Sequence, residues 1–154
     1  MTHRYILDKH KNCNPNEISY DEEVPADKNL EEEFYKLMNT KARQLNLQNT
    51  NYDSSHGLSN KVNYSCCYDQ AVLGAEAMKH TILQNIVKTT TYSALIERND
   101  RDFELVWKNT NKLLDRKGYK GIKTGITTAA GGCLATYYHN KGTNFLTVVL
   151  GARD

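Results

Sequence analysis

The 154-residue sequence predicts an α+β fold in which helices come first and an antiparallel sheet follows. Three observations carry this reading. Leu30, Phe34, Leu37, Met38 and Leu45 recur at helical spacing, so one side of a helix is apolar. From Thr89 the texture turns to β, in TTTYSAL, FELVWKN and GIKTG. CLATYYH and NFLTVVLG then flank Asn140-Lys141-Gly142, a hairpin signal.

The first helix is predicted over 30–46. Asn29 with Glu32 makes a capping box, and Glu31 to Glu33 place negative charge where the helix dipole is positive. LNLQNTNYDSSHGLSN follows as a loop with Gly57 as its turn residue. Ser65 is the expected cap of a second helix carrying Ala71, Val72, Ala75 and Met78, and a shorter helical piece covers Thr81 to Lys88. Residues 1–28 hold both prolines and no periodicity, which predicts an extended acidic arm and leaves 29–154 as one domain.

Composition narrows the function classes. No apolar run approaches the ~20 residues of a membrane span. Tyr5-Ile6-Leu7 is cut short by Asp8, so no export signal is expected. An intracellular place follows, cytoplasmic, cytoskeletal or ciliary, with the mitochondrion left open. Cys13, Cys66, Cys67 and Cys133 have no disulfide-framework spacing and are expected reduced, Cys66 and Cys67 as buried, inert thiols. Residues 1–33 carry nine acids and four bases, a net of −5; residues 34–154 carry nine acids and sixteen bases, a net of +7. A basic body suits an anionic ligand or partner, but without clustered Lys/Arg it predicts no nucleic-acid binding. His3, His10 and Cys13, or Cys133 with His139, match no zinc spacing, so neither metal nor cofactor is expected. Tyr137, Tyr138, Phe103 and Trp107 are expected in the core. The 16 asparagines, with many Lys and Tyr, suggest an AT-rich genome such as a protist's.

The order of segments resembles a known family. FYKLMNTKARQLNLQNTNYDSSHGL is similar to a helix-and-loop segment of D-alanyl-D-alanine carboxypeptidases, the low-molecular-mass penicillin-binding proteins of peptidase type S11. YSCCYDQAVLGAEAM resembles the helix that follows there, and NTNKLLDRKGYKGIKTGITTAAGGCLATYY the stretch leading through the family's KTG box. The likeness runs over about residues 30–152 and implies a partial penicillin-binding-protein/β-lactamase-like fold, in which His56-Gly57 is a structural turn and Asn109, Asn111 and Leu113-Leu114 are scaffolding where a strand exits. It implies that Lys123 supplies positive charge, that Thr124 binds the substrate carboxylate beside Gly125, and that Ile126 offers a backbone N–H to an oxyanion. Acyl transfer needs such donors aimed at the developing charge.

The family also uses a nucleophilic serine in S-x-x-K, whose lysine one turn on takes the proton. No Ser or Thr of this sequence has Lys three residues later, and S-x-N is absent too. Asn14-Pro15-Asn16-Glu17 stands near where S-x-N belongs, as an altered remnant; Tyr138-His139-Asn140 spells Y-x-N but follows KTG. Against the family, the N-terminal strands, the nucleophile helix and the closing C-terminal helix are expected to lie outside these 154 residues. The expectation is therefore a degenerate, non-catalytic relative, a structural or interaction subunit whose fold is completed, or whose sheet is buried, by other protein chains. Lys123, Thr124, Gly125 and Ile126 would then be vestigial. The enzyme-class alternative is a split carboxypeptidase whose nucleophile comes from another chain, and a third reading is a non-hydrolytic module that binds a peptide carboxylate.

Overall fold

A computed structural model describes residues 29–58, 60–97 and 101–153 of the chain. The predicted arm over 1–28, with His3, His10, Cys13 and Asn14 to Glu17, lies outside the described residues.

Helix α1 spans Leu30–Gln44, and the Asn29 side chain accepts from the Glu32 N–H at 3.4 Å, as a capping residue should. The helix stops two residues earlier than its apolar spacing suggests. Asn46 turns left-handed (φ 57), the Asn46 N–H bonds the Arg43 carbonyl at 3.0 Å, and the Leu47 N–H bonds that of Ala42 at 2.9 Å. This pair of bonds is a Schellman closure, and its apolar contact is present: Ala42 and Leu47 are both buried.

Helix α2 spans Cys67–Ala77 and α3 Thr81–Val87. Cys66, not Ser65, caps α2, its sulfur accepting from the Asp69 N–H at 3.5 Å. The Ser65 hydroxyl is held elsewhere, by Thr50 Oγ1 at 2.8 Å and by Gln70 Nε2 at 2.9 Å. The expectation of two buried thiols also fails. Cys66 is half-buried and Cys67 exposed, because α2 turns its first residues outward and sends Asp69 inward. The Asp69 carboxylate accepts from the Asn49 N–H at 2.8 Å and the Thr50 hydroxyl at 2.7 Å, tying the loop after α1 to α2.

Two antiparallel sheets follow. Strands β1 (Thr91–Glu97) and β2 (Asp102–Lys108) form a hairpin; β3 (Tyr119–Thr127), β4 (Gly131–Asn140) and β5 (Thr143–Ala152) form a three-stranded sheet in that order. Asn140 pairs with Thr143 across a two-residue loop, and both Lys141 (φ 48) and Gly142 (φ 81) are left-handed. Two positive φ values in succession give the turn whose twist suits a hairpin.

Helix α2 lies on the large sheet through Gly74, where a Cβ would stand 2.9 Å from Leu146 Cδ1 and 3.3 Å from Ile122 Cδ1. Tyr138 packs as expected, half-buried, stacked on Phe145 at 4.7 Å and edge-on to Tyr119 at 5.2 Å, and Tyr137 is half-buried. Phe103 and Trp107 do not join a core: they are 46% and 49% exposed. Their cross-strand partners Ile96 and Tyr92 share one face of β1–β2 with the Ala94–Leu105 pair, and the hairpin packs mainly on itself. Its apolar face is left open.

Candidate functional site

Strand β3 carries Lys123, Thr124, Gly125 and Ile126 together, at the outer edge of the described sheet. Two contacts fix the strand just before them. Gly121 passes against α3 with φ 127, and the Thr136 hydroxyl donates to the Gly121 carbonyl at 2.7 Å in a buried position. Beyond them, Gly125 pairs with Cys133 and Ile126 with Gly132. The Thr127 side chain accepts from the Ala130 N–H at 3.0 Å and closes the turn into β4.

The geometry sorts the four residues. The Lys123 side chain is exposed, and its ammonium donates to the Thr124 carbonyl. That carbonyl therefore faces the free edge, and Ile126, two residues further along a strand of period two, turns its own N–H to the same edge. The Ile126 side chain is 83% exposed. A Cβ at Gly125 would meet nothing within 4 Å, so the space over this glycine is open to a ligand.

Thr124, Leu134 and Val149 form one row across the sheet, and Ile126, Gly132 and Ala152 another. With Thr110, Gly125 and Cys133 they line an open cleft of about 600 Å³. The lining is mostly apolar, with the Thr110 and Thr124 hydroxyls as its polar side chains; Lys123 precedes Thr124 on β3 but does not line the cleft. The cleft can hold an anion and an acyl group side by side. No residue among those lining it is a serine.

Among the cleft residues that the sequence reading missed, Thr110 is the one with a polar side chain on the site. Its hydroxyl lies 2.5 Å from that of Thr124, and either can donate. Its flanks are the asparagines read as scaffolding, and they behave as such. Asn109 Nδ2 donates to the Thr89 carbonyl at 3.0 Å, while Asn111, 4% exposed, donates its N–H to Asn109 Oδ1 at 3.0 Å and accepts from the Leu113 N–H at 3.1 Å. His56 is structural too, its Nδ1 accepting from the Leu58 N–H at 3.0 Å. Cys133 and His139 stand six residues apart on β4, roughly 20 Å at strand rise, too far to share an ion.

Comparison with known proteins gives this edge a setting. The family model described as D-alanyl-D-alanine carboxypeptidase, peptidase S11, matches residues 25–154. The D-alanyl-D-alanine carboxypeptidase DacF of Bacillus subtilis is 39% identical over 125 residues, covering 79% of this chain and 31% of that protein. The crystal structure of a Streptomyces DD-transpeptidase matches 80% of this chain and 48% of its own, with a TM-score of 0.75 and 34% identity. A penicillin-binding protein of Listeria monocytogenes in its cefotaxime-bound form matches 78% of this chain and 48% of its own, with a TM-score of 0.66 and 28% identity. The chain thus spans less than half the length of each of these relatives. They are bacterial, and this chain has part of their α+β penicillin-binding-protein fold, as expected from the motif order. On a match that takes in the helices, the sheet and the whole KTG edge, the chain belongs to the D-alanyl-D-alanine carboxypeptidase family, peptidase S11.

Proposed function

We propose that this chain supplies the carboxylate-binding wall of a D,D-peptidase-type site and that by itself it binds without cleaving. The observation that carries the reading is the Lys123-Thr124-Gly125 edge, open to a cleft, in a sequence with no serine or threonine followed three residues later by lysine. A peptide ending in D-alanyl-D-alanine presents a carboxylate, which only accepts hydrogen bonds. The Thr124 hydroxyl donates to it, Lys123 supplies the opposite charge, and the Ile126 N–H waits where a carbonyl oxygen would gain charge. Acylation requires an activated nucleophile besides these donors. Any serine–lysine pair acting on a peptide held here comes from outside these 154 residues.

The exposed apolar side chains favour a second, compatible reading, in which another polypeptide segment covers this chain. Leu30, Phe34 and Leu37 lie exposed along α1, and Tyr92, Ile96, Phe103, Leu105 and Trp107 along the hairpin. At about 200 Å² per large side chain, the hairpin face alone exposes roughly 450 Å². Covering it would return on the order of 10 kcal/mol before the cost of association, at about 25 cal/mol per Å².

Two measurements test the main reading. Incubation with a fluorescent penicillin followed by denaturing electrophoresis is expected to give no covalent band. Titration of the labelled chain with diacetyl-Lys-D-Ala-D-Ala, followed by amide chemical shifts, is expected to move the β3 and β4 resonances, and the C-terminal amide of the same peptide to move them much less. A covalent band lost on mutating one serine would overturn the non-catalytic part. Equal binding of acid and amide, or none of either, would overturn the wall.

A further inference from the structure

We propose that Thr110 is a positioning residue for Thr124, orienting its hydroxyl so that its proton is free for the ligand carboxylate. The inference rests on the reading of Thr124 as the carboxylate donor and adds a residue to it.

The argument begins from proton count. A threonine hydroxyl has one hydrogen to donate and can accept from others. Thr110 Oγ1 and Thr124 Oγ1 are 2.5 Å apart and share one hydrogen bond, in which either is the donor. If Thr124 donates to Thr110, its only hydrogen is spent inside the protein. A carboxylate entering the cleft then meets two lone pairs at Thr124 and is repelled. If Thr110 donates, Thr124 accepts from it and points its hydrogen outward. An arriving anion selects this second arrangement, and the chain Thr110 O–H to Thr124 O–H to carboxylate polarises in one direction, strengthening each bond.

Such a relay works only if Thr110 stays in place, and the loop is built for that. Thr110 is exposed, on a segment between a strand and a short helical turn, where a hydroxyl would ordinarily rotate freely. Asn109 on one side bonds to the Thr89 carbonyl, and Asn111 on the other is buried and bonds both to Asn109 and to the Leu113 N–H. The threonine between them is held at both flanks. Its hydroxyl is a preorganised donor, and little ordering remains to be done when ligand binds.

The test uses the full chain, with diacetyl-Lys-D-Ala-D-Ala and its C-terminal amide as paired probes, read by amide chemical shifts. Thr110→Val keeps the shape and removes the hydroxyl. It is expected to weaken binding of the acid about three- to tenfold and to leave the amide within twofold, as removing one supporting hydrogen bond should. Thr110→Ser, which restores the hydroxyl, is expected to recover acid binding to within twofold of wild type. In a Thr124→Val background, Thr110→Val is expected to add nothing, because it acts through the group already removed. A merely structural role would lower acid and amide binding together, and that result would overturn the proposal. So would an effect of Thr110→Val that persists in the Thr124→Val background, which would place Thr110 in direct contact with the ligand. If the wild-type chain fails to prefer acid over amide, the carboxylate wall itself falls, and this inference with it. If the preference is present and Thr110→Val leaves it unchanged, the wall stands and only the positioning role is lost.

Discussion

Replacing Gly121 by alanine tests whether the KTG edge is held where the structure holds it. Gly121 has φ 127, a value that side-chain-bearing residues rarely adopt, and a Cβ there would lie 2.7 Å from Val87 Cγ2, 2.9 Å from Val87 Cβ and 3.2 Å from the Val87 carbonyl oxygen. Two costs follow. Holding alanine at that φ costs about 1–3 kcal/mol. Forcing a methyl into an occupied contact costs about 1–3 kcal/mol more, and the side-chain atoms of Val87 yield more easily than its carbonyl. The two relieve each other in part, so a loss of about 3 kcal/mol is expected, a large share of the ~5–15 kcal/mol that stabilises a domain. Urea unfolding of the dilute chain, followed by far-ultraviolet circular dichroism, measures it. Repeating the substitution in Val87→Ala should recover about 1 kcal/mol, the steric share, as the coupling of a double-mutant cycle. A loss below 0.5 kcal/mol in the wild-type background would refute the reasoning, for Gly121 would then not be in this conformation against α3.

Three further perturbations have defined outcomes. Lys141→Asn relieves a left-handed lysine while keeping the two-residue turn, and a stabilisation of about 0.5–1 kcal/mol in urea is expected; no gain would mean the turn differs in solution. Asp69→Ala strips the buried acceptor of the Asn49 N–H and the Thr50 hydroxyl, and a loss of about 2–4 kcal/mol by the same assay is expected, with less than 1 kcal/mol counting against that anchor. Glu76 is held below the usual carboxylate value, first by its hydrogen bond from Lys79 at 2.6 Å, then by the charges of Lys79 and Lys41. A lowered folded-state value stabilises fully above the ordinary 4.5 and is lost as pH falls through the folded value. The melting temperature of wild type should therefore exceed that of Glu76→Gln slightly at neutral pH, the gap closing below about pH 4.5; a gap that widens in acid would overturn the assignment.

The parts legible in the sequence are those fixed by neighbours along the chain. Asn29 with Glu32 marks the start of α1 because the capping bond spans three residues, and Asn140-Lys141-Gly142 marks the hairpin because its turn needs only local φ values. Where a side chain's partner comes from far away, local reasoning chose wrongly. Ser65 is a better cap than cysteine by propensity, yet Thr50, fifteen residues upstream, and Gln70 claim its hydroxyl, and the cap passes to Cys66. Phe103 and Trp107 alternate as core residues do, but alternation records a face and not what covers it. Thr110 was invisible for the same reason as Ser65, since its role exists only once β3 passes beside it. The asparagine excess carries structure. Asn39 bonds the Tyr52 backbone at both its N–H and its carbonyl, and Asn51, Asn60 and Asn63 supply further bonds that an irregular loop cannot make through regular backbone pairing.

On the proposed reading, the wall of the site and the nucleophile pair have different structural requirements, so that one could stand in a chain that does not carry the other. A nucleophile and its base must meet within hydrogen-bond reach, so they are lost with any one residue of the pair. The KTG edge depends on no such pair. It is held by Gly121 against Val87, by Thr136 on the Gly121 carbonyl, by the turn that Thr127 closes, and by the register with β4. None of these contacts would be used up in acyl transfer, and removing a serine elsewhere would disturb none of them. Selection for a stable sheet alone would preserve Gly121 and Thr136. It would not preserve an open space over Gly125, where a side chain would meet nothing and would add strand propensity and apolar cover. On the proposed reading that space is where a ligand would lie, and the glycine costs the strand some propensity without packing in return.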